Sequence, residues 1–309
     1  YVGEDVRILS SVGSELFRDR TEPLAFSRDR LAEAKIVAEN SDVVILCVGL
    51  DETLEGEEGD TGNSDASGDK VDLHLPKVQE ELIEKVTAVG KPTIVVLMAG
   101  SAIDLNYAQD NCNGILLAWY PGARGGRAIA DLLFGKESPS GKLPITFYKD
   151  LEGMPEFTDY SMKNRTYRYM EKEALYPFGY GLTYSDTCVT EAEVVGEVSA
   201  ESDIMLKATV KNNGTVDTDE VVQVYIKDLD SPLAVRNYSL CGFKRVSLKA
   251  GEEKSVEFTI SNKAMNIVDE DGNRYIAGKH FRLFAGVSQP DTRSAELTGH
   301  KPAEIEIAL

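Results

Sequence analysis

The chain is predicted to fold as an α/β domain, with a mostly parallel sheet sandwiched by helices, followed by a small all-β sandwich. Three features of its 309 residues predict this. Short β-branched runs alternate with helical patterns through the first half. Runs of alternating apolar and polar residues, divided by Gly- and Asn-containing turns, fill the last third. A stretch rich in Pro, Gly and aromatic residues, with little periodicity of either kind, lies between them.

Taken in order, Leu31 to Asn40 has helix composition and Asp42 to Val48 is a β-branched run. Lys77 to Val89 repeats apolar residues at helical spacing, and Thr93 to Met98 is a second β-branched run. Gly114 to Trp119 is a third apolar run, and Gly125-Gly126 leads into the helix-like Ala128 to Leu133. Strands and helices alternating in this way imply parallel strands with helices on both faces. Gly135 to Tyr184, with Pro139, Pro144, Pro155 and Pro177, reads as an ordered linker. Beyond it, Ile204 to Val210, Glu220 to Ile226, Ser255 to Ile260 and His280 to Val287 alternate as half-buried strands. The turns Asn212-Asn213-Gly214, Ala250-Gly251 and Asp271-Gly272 separate them. The expected divisions are 1–148 for the α/β domain, 149–187 for the linker and 188–309 for the sandwich.

Hydrophobic residues make up 42% of the chain and charged residues 28%, which suits a soluble globular protein with two cores. A formal charge of -19 opposes polyanions, and no Lys/Arg cluster offsets it, so nucleic acid is excluded as a partner. No apolar run approaches the roughly 20 residues that span a bilayer, so no membrane partner is expected. The N-terminus lacks the basic-then-apolar pattern of a signal peptide. That absence and the unpaired cysteines favour the cytoplasm, although a chain opening on Tyr1 rather than Met bounds localisation only weakly. Cys47, Cys112, Cys188 and Cys241 form no CxxC pair and stand beside no histidine in ligand spacing, so they are expected as small core residues with no metal site. His74, His280 and His300 are far apart and read as surface or hydrogen-bonded residues.

In a parallel sheet, ligands gather at the loops beyond the carboxyl ends of the strands, which directs attention to the segment after Val48. Asp51 to Asp72 is long and polar for an ordinary connection. It contains Leu54-Glu55-Gly56-Glu57-Glu58-Gly59-Asp60, four carboxylates within six residues, with glycines that let the backbone bend. On residue types alone three readings stand: a solvated acidic loop, a carboxylic acid for proton transfer, or oxygen ligands for a hard cation. The calcium-loop signature with its closing glutamate is not met.

Five ordered motifs, covering nearly the whole chain, resemble one family. They are Gly49-Leu50-Asp51 with Leu54-Glu55-Gly56-Glu57, Leu75-Pro76 and Gln79 to Ile83; Trp119-Tyr120-Pro121-Gly122 with Gly125-Gly126; Pro139 to Pro144 with Thr146-Phe147; Tyr167-Arg168-Tyr169 with Tyr176 to Tyr184; and Gly214, Leu240 to Val246 and Gly251-Glu252. Together they are similar to the C-terminal part of family 3 glycoside hydrolases, an α/β sandwich domain followed by an immunoglobulin-like, fibronectin type III-like domain.

The resemblance implies a retaining exo-acting β-glycosidase, foremost a β-glucosidase and alternatively a β-xylosidase, needing no cofactor and no metal. It implies that an aspartate nucleophile is carried by a (β/α)8 barrel, expected here as a separate chain or fragment. The domain's opening strand is likewise expected before Tyr1, and this chain alone is expected to be inactive. Within the family's Glu-x-Glu-Gly-x-Asp pattern, Glu57 matches the general acid/base. Glu58 stands where the family often has glycine and Thr61 where it often has arginine, so Glu55 and Glu58 remain alternatives. Retention places the two catalytic carboxyl groups about 5–5.5 Å apart. A glutamate of ordinary pKa, near 4.3, is ionised at neutral pH, so the donor's value must be raised by the barrel wall and its aspartate.

Two rival classes make different demands. A non-catalytic carbohydrate-binding module requires exposed aromatic platforms on the sandwich, whereas the apolar residues there alternate as core residues do. A nucleotide-dependent enzyme requires a glycine-rich phosphate loop after the first strand, and none is present. Trp119 reads as packing before sugar stacking, Gly122 to Gly126 as a structural turn, Arg168 as an interdomain tie, and Asp65 to Asp69 as a surface stretch or the wall of an aglycone site.

Overall fold

The computed structural model describes residues 2–19, 22, 24, 26–56 and 70–309. The chain divides into two compact units: residues up to Leu133 with Tyr148–Leu151, and Phe134–Phe147 with Glu152–Leu309. Among the described residues no helix is long and apolar enough to cross a membrane.

The first unit is a parallel sheet of β1 (Val44–Gly49), β2 (Thr93–Met98) and β3 (Gly114–Leu117), in that order. The segment Thr-Ile-Val-Val-Leu-Met becomes the central strand because it is apolar on both sides, and Val95, Val96 and Leu97 are all fully buried. Helix α1 (Asp29–Glu39) packs on α2 (Lys77–Thr87), which packs on β1, and α3 (Asn106–Asn111) packs on β3. The connection from β3 leads to α4 (Gly125–Leu133). Pro76 precedes α2, and Gln79, Leu82, Ile83 and Val86 form its buried stripe at helical spacing. Each apolar member of that stripe contributes at most about 1.5–3 kcal/mol by leaving water.

Strand β1 is hydrogen-bonded to β2 alone among the described residues. Leu46 and Val48 point into the core, whereas Ile45 and Cys47 are exposed on the other face. The expectation that the cysteines are core residues is therefore corrected for Cys47 above all. Cys47 falls on the open side of β1 by strand alternation and Cys112 and Cys188 are half-buried, whereas Cys241 packs against the sandwich core as expected. Burial still pushes the Cys241 thiol up to about 12, so it stays protonated.

The second unit holds the β-sandwich. One antiparallel sheet pairs Thr187–Val195 and Glu253–Ile260 with the central Ile204–Asn212. The other runs in the order Ala303–Ala308, His280–Gly286, Thr218–Asp228, Ser239–Leu248. Alternation turns Ile204, Leu206, Ala208 and Val210 inward from one sheet, and Val222, Val224, Ile226, Leu283 and Ala285 from the other. Three plus four antiparallel strands around one core is the immunoglobulin-like arrangement expected from the resemblance.

Residues read as linker pack on this sandwich. The Tyr167 ring stacks on Phe178 at 4.3 Å and meets Tyr225 edge-on, while Asn237 Nδ2 donates to the carbonyls of Tyr167 and Met170. Arg168 is exposed, its guanidinium 5.8 Å from the ring centre of Tyr169.

Candidate functional site

The site is assembled where β1, β2 and β3 end. Gly49 closes β1 with φ +152, and a Cβ there would lie 1.8 Å from the Met98 carbonyl oxygen, so only glycine lets the two strands approach this closely. The buried Gln79 holds the same point. Its Oε1 accepts from Gly49 N–H at 2.7 Å, and its Nε2 donates to the carbonyls of Gly49 and Leu16, each at 2.7 Å.

From there the chain makes one tight turn. Asp51 Oδ1 accepts from Thr53 N–H at 2.9 Å and from the Thr53 hydroxyl at 2.6 Å, while the Asp51 carbonyl accepts from Leu54 and Glu55 N–H. Leu54 is buried, and the turn swings Glu55 over the end of β2. There Glu55 Oε2 accepts from Gly100 N–H at 2.6 Å and from the Tyr120 hydroxyl, and Oε1 accepts from the Ser101 hydroxyl. Gly100 and Ser101 follow β2 and Tyr120 follows β3, so one carboxylate joins the loops beyond all three strands.

Lys70 enters from the far side. Its Nζ donates to Ser101 Oγ at 2.8 Å and to the Ala102 carbonyl at 3.1 Å, so Ser101 relays between the ammonium and the carboxylate. Gly100 is needed for the fit, since a Cβ on it would stand 2.8 Å from the Tyr120 ring and 3.1 Å from Glu55 Oε2.

The electrostatics follow from the donor set. Burial acts to raise the Glu55 carboxyl, but the bonds from Ser101, Tyr120 and Gly100, with the Lys70 charge, outweigh it and hold the group below its ordinary value. Burial and the adjacent Glu55 carboxylate push the Tyr120 hydroxyl up, so it remains a donor. Burial lowers Lys70, opposed by Glu55 and Asp72. At neutral pH Glu55 is thus an ionised acceptor with its oxygens engaged.

Of the three candidate glutamates, Glu55 is described, whereas Glu57 and Glu58 lie outside the described residues, as do Asp60 and Asp65 to Asp69. Trp119, half-buried, has φ 51, an uncommon left-handed backbone beside the Tyr120 that binds Glu55. Gly100, Ser101 and Lys70 were given no part by the sequence reading, and Tyr120 figured only within a motif. Their one sequence signal is position, in loops beyond the carboxyl ends of strands. Each histidine has a carboxylate partner: His74 with Glu80 at 2.9 Å, His280 with Asp230 at 3.1 Å, and His300 with Asp186.

The profile of the glycosyl hydrolase family 3 C-terminal domain matches residues 6–184, and that of the fibronectin type III-like domain matches residues 220–289. The chain belongs to glycosyl hydrolase family 3. It is 40% identical, over 82% of its length and 30% of the relative's, to a xylan 1,4-β-xylosidase of Xylanibacter ruminicola. It is 34% identical, over 96% of its length and 40% of the relative's, to a β-xylosidase of Formosa agariphila. A solved β-glucosidase from Erythrobacter marinus superimposes with a TM-score of 0.77 at 31% identity, covering 92% of this chain and 36% of that one. The chain therefore spans 30–40% of these relatives.

Proposed function

We propose that this chain is the acid/base-bearing part of a retaining, exo-acting β-glycosidase, with Glu57 as the proton donor and an aspartate nucleophile on a (β/α)8 barrel portion outside the chain. The family match supports the glycosidase reading, and the observation that sorts its candidate glutamates is the engagement of Glu55 on both carboxylate oxygens. A general acid must present a free proton to the leaving group, whereas both Glu55 oxygens are taken by donors from Gly100, Ser101 and Tyr120. Its role as a structural acceptor leaves proton donation to a following glutamate, and Glu57 is the one that fits the family's pattern, before Glu58. The share of the relatives that the chain covers supports a barrel partner.

The substrate is a terminal β-linked sugar. The β-glucoside suggested by the resemblance is supported by the solved relative, and the β-xyloside alternative by the two named β-xylosidases. In the chain joined to its barrel portion, Glu57→Ala is expected to cost roughly 10²–10⁴-fold on alkyl glycosides and far less on dinitrophenyl glycosides, which need no proton. Comparable losses on both would remove Glu57 from the role. Parallel assays on aryl xylosides and aryl glucosides decide the sugar.

A further inference from the structure

Glu55 and Lys70 stand at the two ends of the segment 56–69, and both close on the same turn after β2. Glu55 takes Gly100 N–H and the Ser101 hydroxyl, while Lys70 gives to Ser101 Oγ and to the Ala102 carbonyl. Tyr120 adds a third anchor to Glu55 from the loop after β3. Further anchors hold the turn itself: Asp104 N–H donates to the Leu73 carbonyl at 2.7 Å, and Ile103 and Leu105 are buried.

We propose that Glu55 and Lys70 are positioning residues of the glycosidase: by closing on Ser101 from both sides they fix the two ends of the segment 56–69 at the carboxyl end of the sheet, and so set where its proton donor stands. This rests on the reading of Glu57 given above. Two peptide units separate Glu55 from Glu57, so any freedom at Glu55 passes directly to the donor. Proton transfer is sensitive to such freedom, since a displacement of 1 Å can cost about 10²-fold.

Two measurements test the proposal. In the 309-residue chain, amide exchange at Gly100 reads the tie itself. Glu55→Ala should speed it about tenfold or more, because the acceptor is lost. Glu55→Gln, which keeps an acceptor oxygen, should stay nearer the parent, and Ser101→Ala should speed exchange in the Gly100–Ile103 stretch without disturbing the core. No change in either Glu55→Ala or Ser101→Ala overturns the tie.

In the chain joined to its barrel portion, kcat/KM across leaving groups reads the catalytic consequence. Glu55→Ala and Lys70→Met should lose roughly 10–100-fold more on alkyl than on dinitrophenyl glycosides, with Glu55→Gln restoring much of the difference. Losses equal across leaving groups, while Glu57→Ala remains leaving-group dependent, would overturn the positioning role alone. Loss of that dependence in Glu57→Ala would instead fell the assignment of the proton donor, and the positioning role with it.

Discussion

Lys142 Nζ lies 2.8 Å from Glu220 Oε1, and the two side chains are 9% and 2% exposed. Glu220 also accepts from the Thr187 hydroxyl and from Val221 N–H, each at 2.6 Å, and Lys142 donates to the Gly181 carbonyl at 2.6 Å. The pair locks the Pro-rich stretch around residue 142 to the strand Thr218–Asp228. Removing one partner from a buried pair strands the other charge, so Lys142→Met is expected to cost about 3–5 kcal/mol in urea unfolding. The double variant Lys142→Met with Glu220→Leu should recover much of that loss, whereas additive losses would show that the charges act independently.

Gly179 and Gly251 give a matched comparison. Both have positive φ, +76 and +72, but a Cβ on Gly251 meets nothing within 4 Å, while one on Gly179 would lie 2.2 Å from Gln223 Oε1 and 2.7 Å from the Tyr225 hydroxyl. Gln223 is buried and donates to the carbonyls of Gly179 and Val287. Gly251→Ala should cost about 1–2 kcal/mol from backbone strain alone. Gly179→Ala should cost that and about 1–3 kcal/mol more for the displaced polar groups. Calorimetric unfolding of the two variants side by side would check the order.

The Glu55 carboxyl gives a pH dependence of definite sign. Its folded pKa lies below the ordinary glutamate value of about 4.3. The stability it adds is therefore present above that value and is lost as pH falls through the folded pKa. Glu55→Gln should be less stable than the parent at pH 7, and the gap should close under acid conditions. A gap that is constant with pH would mean the carboxylate is not preferentially ionised in the fold.

The chain by itself should not hydrolyse aryl β-glucosides or β-xylosides, since the proposed retaining mechanism needs a second carboxylate about 5–5.5 Å from the acid, expected on the barrel portion. Adding that portion should restore turnover. Steady turnover by the purified chain alone, unaffected by Glu57→Ala, would place catalysis elsewhere.

How much of this was legible in the sequence depended on distance along the chain. Thr93–Met98 was read to the residue, because an apolar run buried on both faces needs no partner to announce itself. Asn106–Asn111 was not seen, being six residues with one buried side chain. The strand Ser239–Leu248 lies at a sheet edge and shows no alternation of burial. Thr187–Val195 carries a bulge between Val189 and Glu191 that breaks the period of two. The end of β1 was legible as a place to look, and the described Glu55 cluster forms there. The partners of Glu55 were not legible, since they stand 45, 46 and 65 residues away, and only the folded sheet brings three loop starts together.

The meeting of Glu55 and Lys70 on Ser101 also bears on how such a chain can diversify. Whatever lies between two residues anchored to one side chain starts and finishes at the same place. The entropy of closing a loop grows only with the logarithm of its length, about 0.6 kcal/mol for each doubling. Insertions or deletions between positions 61 and 69, beyond Glu57 and the rest of the acidic motif, should therefore leave the sheet beneath almost untouched, and descendants of this chain can vary the length and composition of that stretch while inheriting the same foundation.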